Sequence, residues 1–357
     1  MADKTKIQWT DTTWNPVRGC SVASDGCQFC YAAGVAARFS GPGQPYAGLA
    51  RYSPARRLPQ WTGEVRLVQE HLADPLRWKR PRMVFVNSMS DLFHEALTNE
   101  QIAAVFGVMA AAPQHTFQVL TKRARRMREW FAWVAAEAQG ALRAIRFEAQ
   151  GYFIRNAYEL HLDREVVERR IALGSAWPLP NVWLGVSAED QRSADERVPE
   201  LLATPSAVRW VSVEPQIGPV SLRGLMMSHA RPGHCAACGH GHGFARDPNY
   251  GGVARVCHRL ECFCADFQRA RGGIDWVVQG GESGPRARPF NVAWADALRE
   301  ECAAAGVAYF LKQLGSCPMG LGHSRSGPAP RHPKGGDPEE WPEQMRVRQW
   351  PSKSPRS

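Results

Sequence analysis

Cys20, Cys27 and Cys30 lie in the segment Gly19-Cys20-Ser21-Val22-Ala23-Ser24-Asp25-Gly26-Cys27-Gln28-Phe29-Cys30-Tyr31, with the spacing C-x6-C-x2-C. Three thiolates this close in sequence can hold three irons of a four-iron, four-sulfur cluster. The fourth iron stays open, because full ligation by protein takes four cysteines. An open iron can bind a small molecule and reduce it, a type of chemistry in which the cofactor does the hard step and the protein positions it. The pattern suggests radical chemistry started from S-adenosylmethionine (SAM). A bare C-x2-C is also often half of a zinc site. The third cysteine upstream, the flanking Gly19 and Gly26, and Phe29 just before Cys30 favour the cluster.

Other residues able to do chemistry sit where short apolar runs end. Met83–Ser88 leads into Ser90 and Asp91, and Thr116–Leu120 leads into Thr121, Lys122 and Arg123. Val182–Val186 leads into Ser187 and Glu189, and Arg209–Val213 into Glu214. Asp275–Gln279 leads into Gly280-Gly281-Glu282, and Val307–Leu311 into Lys312. These runs are short, β-branched or aromatic, and nearly continuous in apolarity, as buried parallel strands are.

Helical stretches separate several of them. Thr98 with Gln101 resembles a capping box, followed by Ile102, Val105, Phe106 and Met109 at helical spacing. Trp294, Leu298 and Cys302 mark another helix face, and Gly306 is a plausible stop. With a first strand around Trp14 to Val17, the alternation predicts an α/β fold, a full or partial (β/α) barrel. In barrels, function sits at the C-terminal ends of the strands, where all these polar clusters fall. A doubly wound open sheet is the rival architecture.

Residues 1–227 read as the N-terminal part of the barrel, with the cysteine loop at 19–31 and a helical, Arg-rich excursion at 129–180. That excursion carries Arg143, Arg146, Arg155, Arg164, Arg169 and Arg170, either a solvated helix face or a binding surface. Residues 228–272 form a Cys/His-rich insertion. Cys235, Cys238, Cys257, Cys262 and Cys264, with several histidines nearby, resemble a zinc ribbon, and a second iron–sulfur cluster is the alternative. Residues 273–315 supply the last barrel units. Residues 316–357 read as loop or tail, except for an ordered-looking stretch from Trp341 to Pro351.

The chain carries 44 Lys plus Arg against 34 Asp plus Glu, a formal net charge of +10, which suits a polyanionic partner such as DNA. The sequence has no apolar run long enough to span a membrane. The N-terminal Met-Ala-Asp-Lys-Thr-Lys-Ile lacks a signal-peptide core. Ten cysteines without such a leader predict metal binding in a reducing cytoplasm rather than disulfides.

As a set, several segments resemble a phage-associated three-cysteine family that is distantly similar to radical SAM enzymes. They are Trp14-Asn15-Pro16, the cysteine segment, Met89-Ser90-Asp91-Leu92-Phe93-His94, Leu120-Thr121-Lys122-Arg123, Gly280-Gly281-Glu282-Ser283-Gly284 and Arg346-Val347-Arg348-Gln349-Trp350-Pro351. The Ser-Asp-Leu-Phe and Thr-Lys-Arg pieces also resemble strand ends of spore photoproduct lyase-like enzymes. Radical SAM enzymes usually carry C-x3-C before the C-x2-C, and a Gly-Gly-Glu at the second strand. Here the first gap is stretched and Gly280-Gly281-Glu282 comes late, so its usual role is not transferred.

The resemblance implies a radical SAM enzyme that moves a glycyl group on thymidine from nitrogen to carbon linkage in hypermodified phage DNA. Cys20, Cys27 and Cys30 would hold the cluster. Ser90 and Asp91 would meet the SAM ammonium. Ser187 and Glu189 would hold its ribose or carboxylate, and Glu214 and Glu282 would bind SAM or an amino substrate. Lys122, Arg123 and Lys312 would meet phosphate or carboxylate. An electron donor such as a flavodoxin or ferredoxin follows from the chemistry. Three rivals remain: a DNA-repair lyase resembling the spore photoproduct enzymes, a zinc-dependent nucleic-acid-binding protein without catalysis, and a radical SAM enzyme acting on protein or tRNA.

Overall fold

A computed structural model of the chain describes residues 5–53, 58–136, 177–226, 273–320 and 331–352, together with the backbone of 242–246 and 253–257. The arginines from Arg143 to Arg170 lie outside the described residues, as do Cys235, Cys238, Cys262 and Cys264. The backbone of Cys257 belongs to an antiparallel hairpin, His242–Arg246 with Val253–Cys257.

Seven parallel strands form the central sheet: β1 (Thr12–Trp14), β2 (Met83–Val86), β3 (Thr116–Thr121), β4 (Val182–Ser187), β5 (Val208–Val213), β6 (Trp276–Gly280) and β7 (Ala308–Gln313). Their spatial order follows the chain without reversal. A doubly wound sheet reverses its order, so that architecture is excluded. β1 and β7 are the two edges, which makes the sheet a half-barrel.

Period-2 alternation divides the strands between two cores. Val84 and Val86, Val182 and Leu184, and Val277 face a large core shared with the helices. Phe85, Trp183, Trp210, Trp276, Val278 and Phe310 face the other side and form a second, aromatic core. Trp9 plugs this second core, packing edge-on against Phe85, Trp210 and Trp276.

The helices are α1 (Tyr31–Arg38), α2 (Asn99–Ala111), α3 (Ala124–Ala136), α4 (Gln191–Leu202) and α5 (Val292–Ala305). Thr98 and Gln101 close the anticipated capping box on α2, and Gly306 ends α5 in the left-handed region at φ 67°. α2 is buried all round from Ile102 to Ala111, more than its sequence spacing suggests.

In the stretch read from sequence as loop or tail, Pro318–Met319 pairs in parallel with Phe290–Asn291, and the chain from residue 331 to 352 is also described, ahead of and including Trp341. Its last part straps the exposed edge of β7. Leu311 N donates to Val347 O at 2.9 Å, and Gln349 N to Tyr309 O at 2.8 Å. Trp276 Nε1 donates to Gln349 O, and Trp350 packs on Phe310. Covering an edge in this way removes a template for aggregation. Among the described residues, no helix is long and apolar enough to cross a membrane.

Candidate active site at the C-terminal edge of the sheet

The cysteine loop leaves the C-terminal end of β1 and is fixed first by the segment after β2. Asn87 takes the left-handed conformation, φ 58°, and its N–H donates to Trp14 O. Asn15 Oδ1 accepts from Ser88 Oγ and Met89 N at 3.1 and 3.0 Å. Ser90 Oγ donates to Val17 O at 2.8 Å, beside a bridge between Gly19 and Ser90. Gly19 has φ 92°, and a Cβ there would lie 2.1 Å from Glu64 O, so only glycine fits. A short turn, Asp25–Cys27, then leads to Cys30, which caps α1.

Charged side chains from three later strand ends grip this loop. Arg123, following β3, is buried; its Nη2 donates to Ser21 O and Oγ at 3.3 and 2.7 Å, and its Nη1 lies 3.9 Å from the Cys20 sulfur. Glu189, following β4, accepts a hydrogen bond from Ser24 Oγ. Beyond β6, Arg288 binds both oxygens of Glu282, donates from Nη1 to Asp25 O at 3.0 Å, and covers the Phe29 ring. His94 completes the frame. Its Nδ1 accepts from Ala96 N, so Nε2 carries the proton toward Ser21 Oγ at 2.9 Å.

The site residues anticipated from sequence come together, but their pairing revises their roles. Three carboxylates expected to meet cofactor and three cations expected to meet substrate are partners of each other. Asp91 pairs with Arg123 at 3.1 Å, Glu189 with Lys122 at 3.1 Å, and Glu214 with Lys312 at 2.5 Å. Buried charges need such compensation.

Asp91 also accepts from Thr121 Oγ1, Lys122 N and Phe93 N, so its two oxygens are fully used inside the protein. Ser187 is buried, and its carbonyl accepts from Arg197 Nη1. Arg197 also reaches Glu189 at 2.9 Å. Burial pushes the Glu189 carboxyl up, but Lys122, Arg197 and Ser24 outweigh it and hold the group down at about 2. Glu282 is satisfied by Arg288. Glu214 and Lys312 are the most open of these three pairs, with side chains 17% and 19% exposed.

Cys20, Cys27 and Cys30 are free thiols, all half-buried. Burial pushes Cys20 up to about 12; Asp91 and the other two sulfurs add to the shift, while Arg123 opposes it. Burial also raises Cys30. Among the described residues, no three His, Cys, Asp or Glu side chains converge on a single-ion site.

Arg288, Arg197 and Ser24 escaped the sequence reading. Arg288 lies six residues beyond Glu282 in a Gly/Pro-rich turn, and Arg197 sits in the middle of an ordinary charged helix. Neither position carries a motif. The nearest signal is the excess of charged residues just after each apolar run.

The model of the family described as "Protein of unknown function (DUF5131)" matches residues 4–342, and the chain belongs to that family. No curated protein and no solved structure matches it.

Proposed function

We propose that this chain is a radical SAM-type enzyme of the cytoplasm that acts on a modified thymidine in DNA, isomerising an N-linked glycyl group to the C-linked form. The observation that carries this reading is the placement of one three-cysteine loop over the C-terminal edge of a parallel half-barrel, clamped there by three later strand ends. Catalytic loops of barrels lie at that edge. The donor type also suits it: Cys20, Cys27 and Cys30 are unpaired thiols on one loop, and sulfur is a soft ligand suited to iron–sulfur chemistry.

Cys20, Cys27 and Cys30 would hold a four-iron cluster. When bound and reduced by a flavodoxin- or ferredoxin-like donor, the cluster and SAM supply a radical that can remove hydrogen from an unactivated carbon. The chain's own residues do the remaining work. Arg123, His94, Glu189 and Arg288 keep the loop in one shape. Ser21 Oγ receives both Arg123 and His94, which fixes the residue next to Cys20. Glu214 and Lys312, side by side and partly exposed, match the ammonium and carboxylate of an α-amino acid group. Such a group occurs on SAM and on a glycyl substituent alike.

The test is anaerobic purification with iron, sulfide and zinc analysis, and EPR of the reduced protein before and after SAM. About four irons per chain and a signal that changes with SAM and is lost in Cys27→Ala support the reading. Zinc without iron after anaerobic reconstitution overturns it. Nucleoside analysis of glycyl-thymidine DNA after turnover then tests the isomerisation.

A further inference from the structure

The excursion between β1 and β2 has an unusual surface. From residue 26 to residue 63 there is no Asp or Glu, while arginine recurs. α1 packs on the hairpin Ala50–Tyr52 with Pro59–Trp61, over a small core of Ala32, Ala36, Ala50 and Met89. Arg38, Arg51 and Arg66 are exposed around it and Arg18 is half-buried.

These four arginines meet no carboxylate among the described residues. Arg18 donates to Pro45 O and covers the Tyr46 ring, and Arg38 donates to Gly34 O. Some exposed arginines elsewhere are paired, Arg125 with Glu129, Arg192 with Glu196 and Arg331 with Glu340, while Arg80, Arg223 and Arg286 meet no carboxylate among the described residues but are single positions rather than a group. Arg18 and Arg66 are moreover direct cross-strand partners in the short ladder Val17–Arg18 with Arg66–Leu67. Like charges in that position repel, and an anion between them removes the cost.

Apolar exposure is concentrated in the same part of the chain. Of the five exposed large apolar side chains among the described residues, Val22, Tyr31, Phe39 and Tyr52 belong to the cysteine loop and this excursion, and only Met319 lies elsewhere. Three of those four are aromatic. Unpaired arginines interleaved with exposed rings are what an unstacked strand requires, phosphates on the guanidinium groups and bases on the ring faces. Duplex DNA hides its base faces and offers the rings nothing.

We infer that the surface formed by Arg18, Arg38, Arg51, Arg66, Phe39 and Tyr52 binds single-stranded DNA and delivers it to the cysteine loop. The charge and exposure stand on their own; the choice of DNA over RNA rests on the function proposed above.

The experiment is fluorescence anisotropy of the full chain with labelled oligothymidylate, set against duplex of the same length, oligouridylate and heparin. Oligothymidylate should bind tightest. Tyr52→Ala and Phe39→Ala should each weaken binding about ten-fold, and Tyr52→Phe should retain it. Arg38→Ala/Arg51→Ala/Arg66→Ala should weaken it at least about ten-fold and flatten the log–log salt slope by about 2. Arg192→Ala, whose partner is Glu196, should change nothing.

Equal binding of heparin or duplex, tighter binding of oligouridylate, or indifference to both sets of substitutions in folded protein overturns the inference. Iron content measured on the same preparations separates the two readings. Binding without iron keeps this surface and sinks the cluster. A SAM-responsive cluster without binding sinks the surface alone.

Discussion

Gly26 and Glu189 meet face to face across the seam between the cysteine loop and the sheet. A Cβ added to Gly26 would come within 2.9 Å of the Glu189 carboxyl carbon. That carboxylate cannot swing aside freely, because Lys122 and Arg197 hold it. Gly26→Ala should therefore shift the loop rather than the glutamate, at a cost of about 1–3 kcal/mol. Iron retained after anaerobic reconstitution should fall by at least about half, with far-UV circular dichroism unchanged. Full iron content in this variant would show that the seam does not control the loop.

Arg123 is the cation nearest the Cys20 sulfur. A charged donor beside a ligating sulfur stabilises the reduced, more negative cluster, so its removal should lower the reduction potential. A charged hydrogen bond contributes about 1.5–3 kcal/mol, which is roughly 60–130 mV for one electron. Arg123→Met should show a drop of that order in EPR-monitored titration, and Arg123→Lys a smaller one. The Met variant should also lose about 3 kcal/mol of stability, because Asp91 is left buried without its cation.

Acid should act through Glu189. Its carboxyl is held at about 2, against an ordinary 4.5. A depressed carboxyl stabilises the fold fully above the ordinary value, and that contribution disappears as pH falls from 4.5 toward 2. The shift corresponds to about 3 kcal/mol. Urea midpoints measured across this window should fall steeply for the wild type. Glu189→Gln should be less stable at neutral pH and flatter below pH 4.5.

Gly185 in β4 faces the Trp210 indole, and a Cβ there would lie only 2.4 Å from it. Trp210 is fully buried among other rings and cannot retreat. Gly185→Ala should cost at least about 3 kcal/mol, the upper range for overpacking. A thermal midpoint within a degree of wild type would refute this account of the aromatic core.

How much of this could be read from the sequence differs by element. The six apolar runs and the Thr98 and Gly306 signals were legible because strand burial and helix capping are local. β1 was misplaced by a few residues, since Thr12 and Thr13 are polar and take their place only by pairing with Val84 and Phe85. The clustering of Asp91, Lys122, Arg123, Glu189, Glu214 and Lys312 was legible from their position after each run. Their mutual pairing was not, because it is a property of neighbouring strands. Arg288 was invisible for the same reason, since its partner at Asp25 lies 263 residues away in the chain.

That last contact also orders events in time. A loop clamped by groups from β3, β4 and the turn after β6 has a high contact order and cannot settle until the final sheet units have docked. A nascent chain bearing only the cysteine segment holds three thiols on an unformed tether. On the function proposed above, a cluster held by those thiols is expected to enter only after these strand ends have docked.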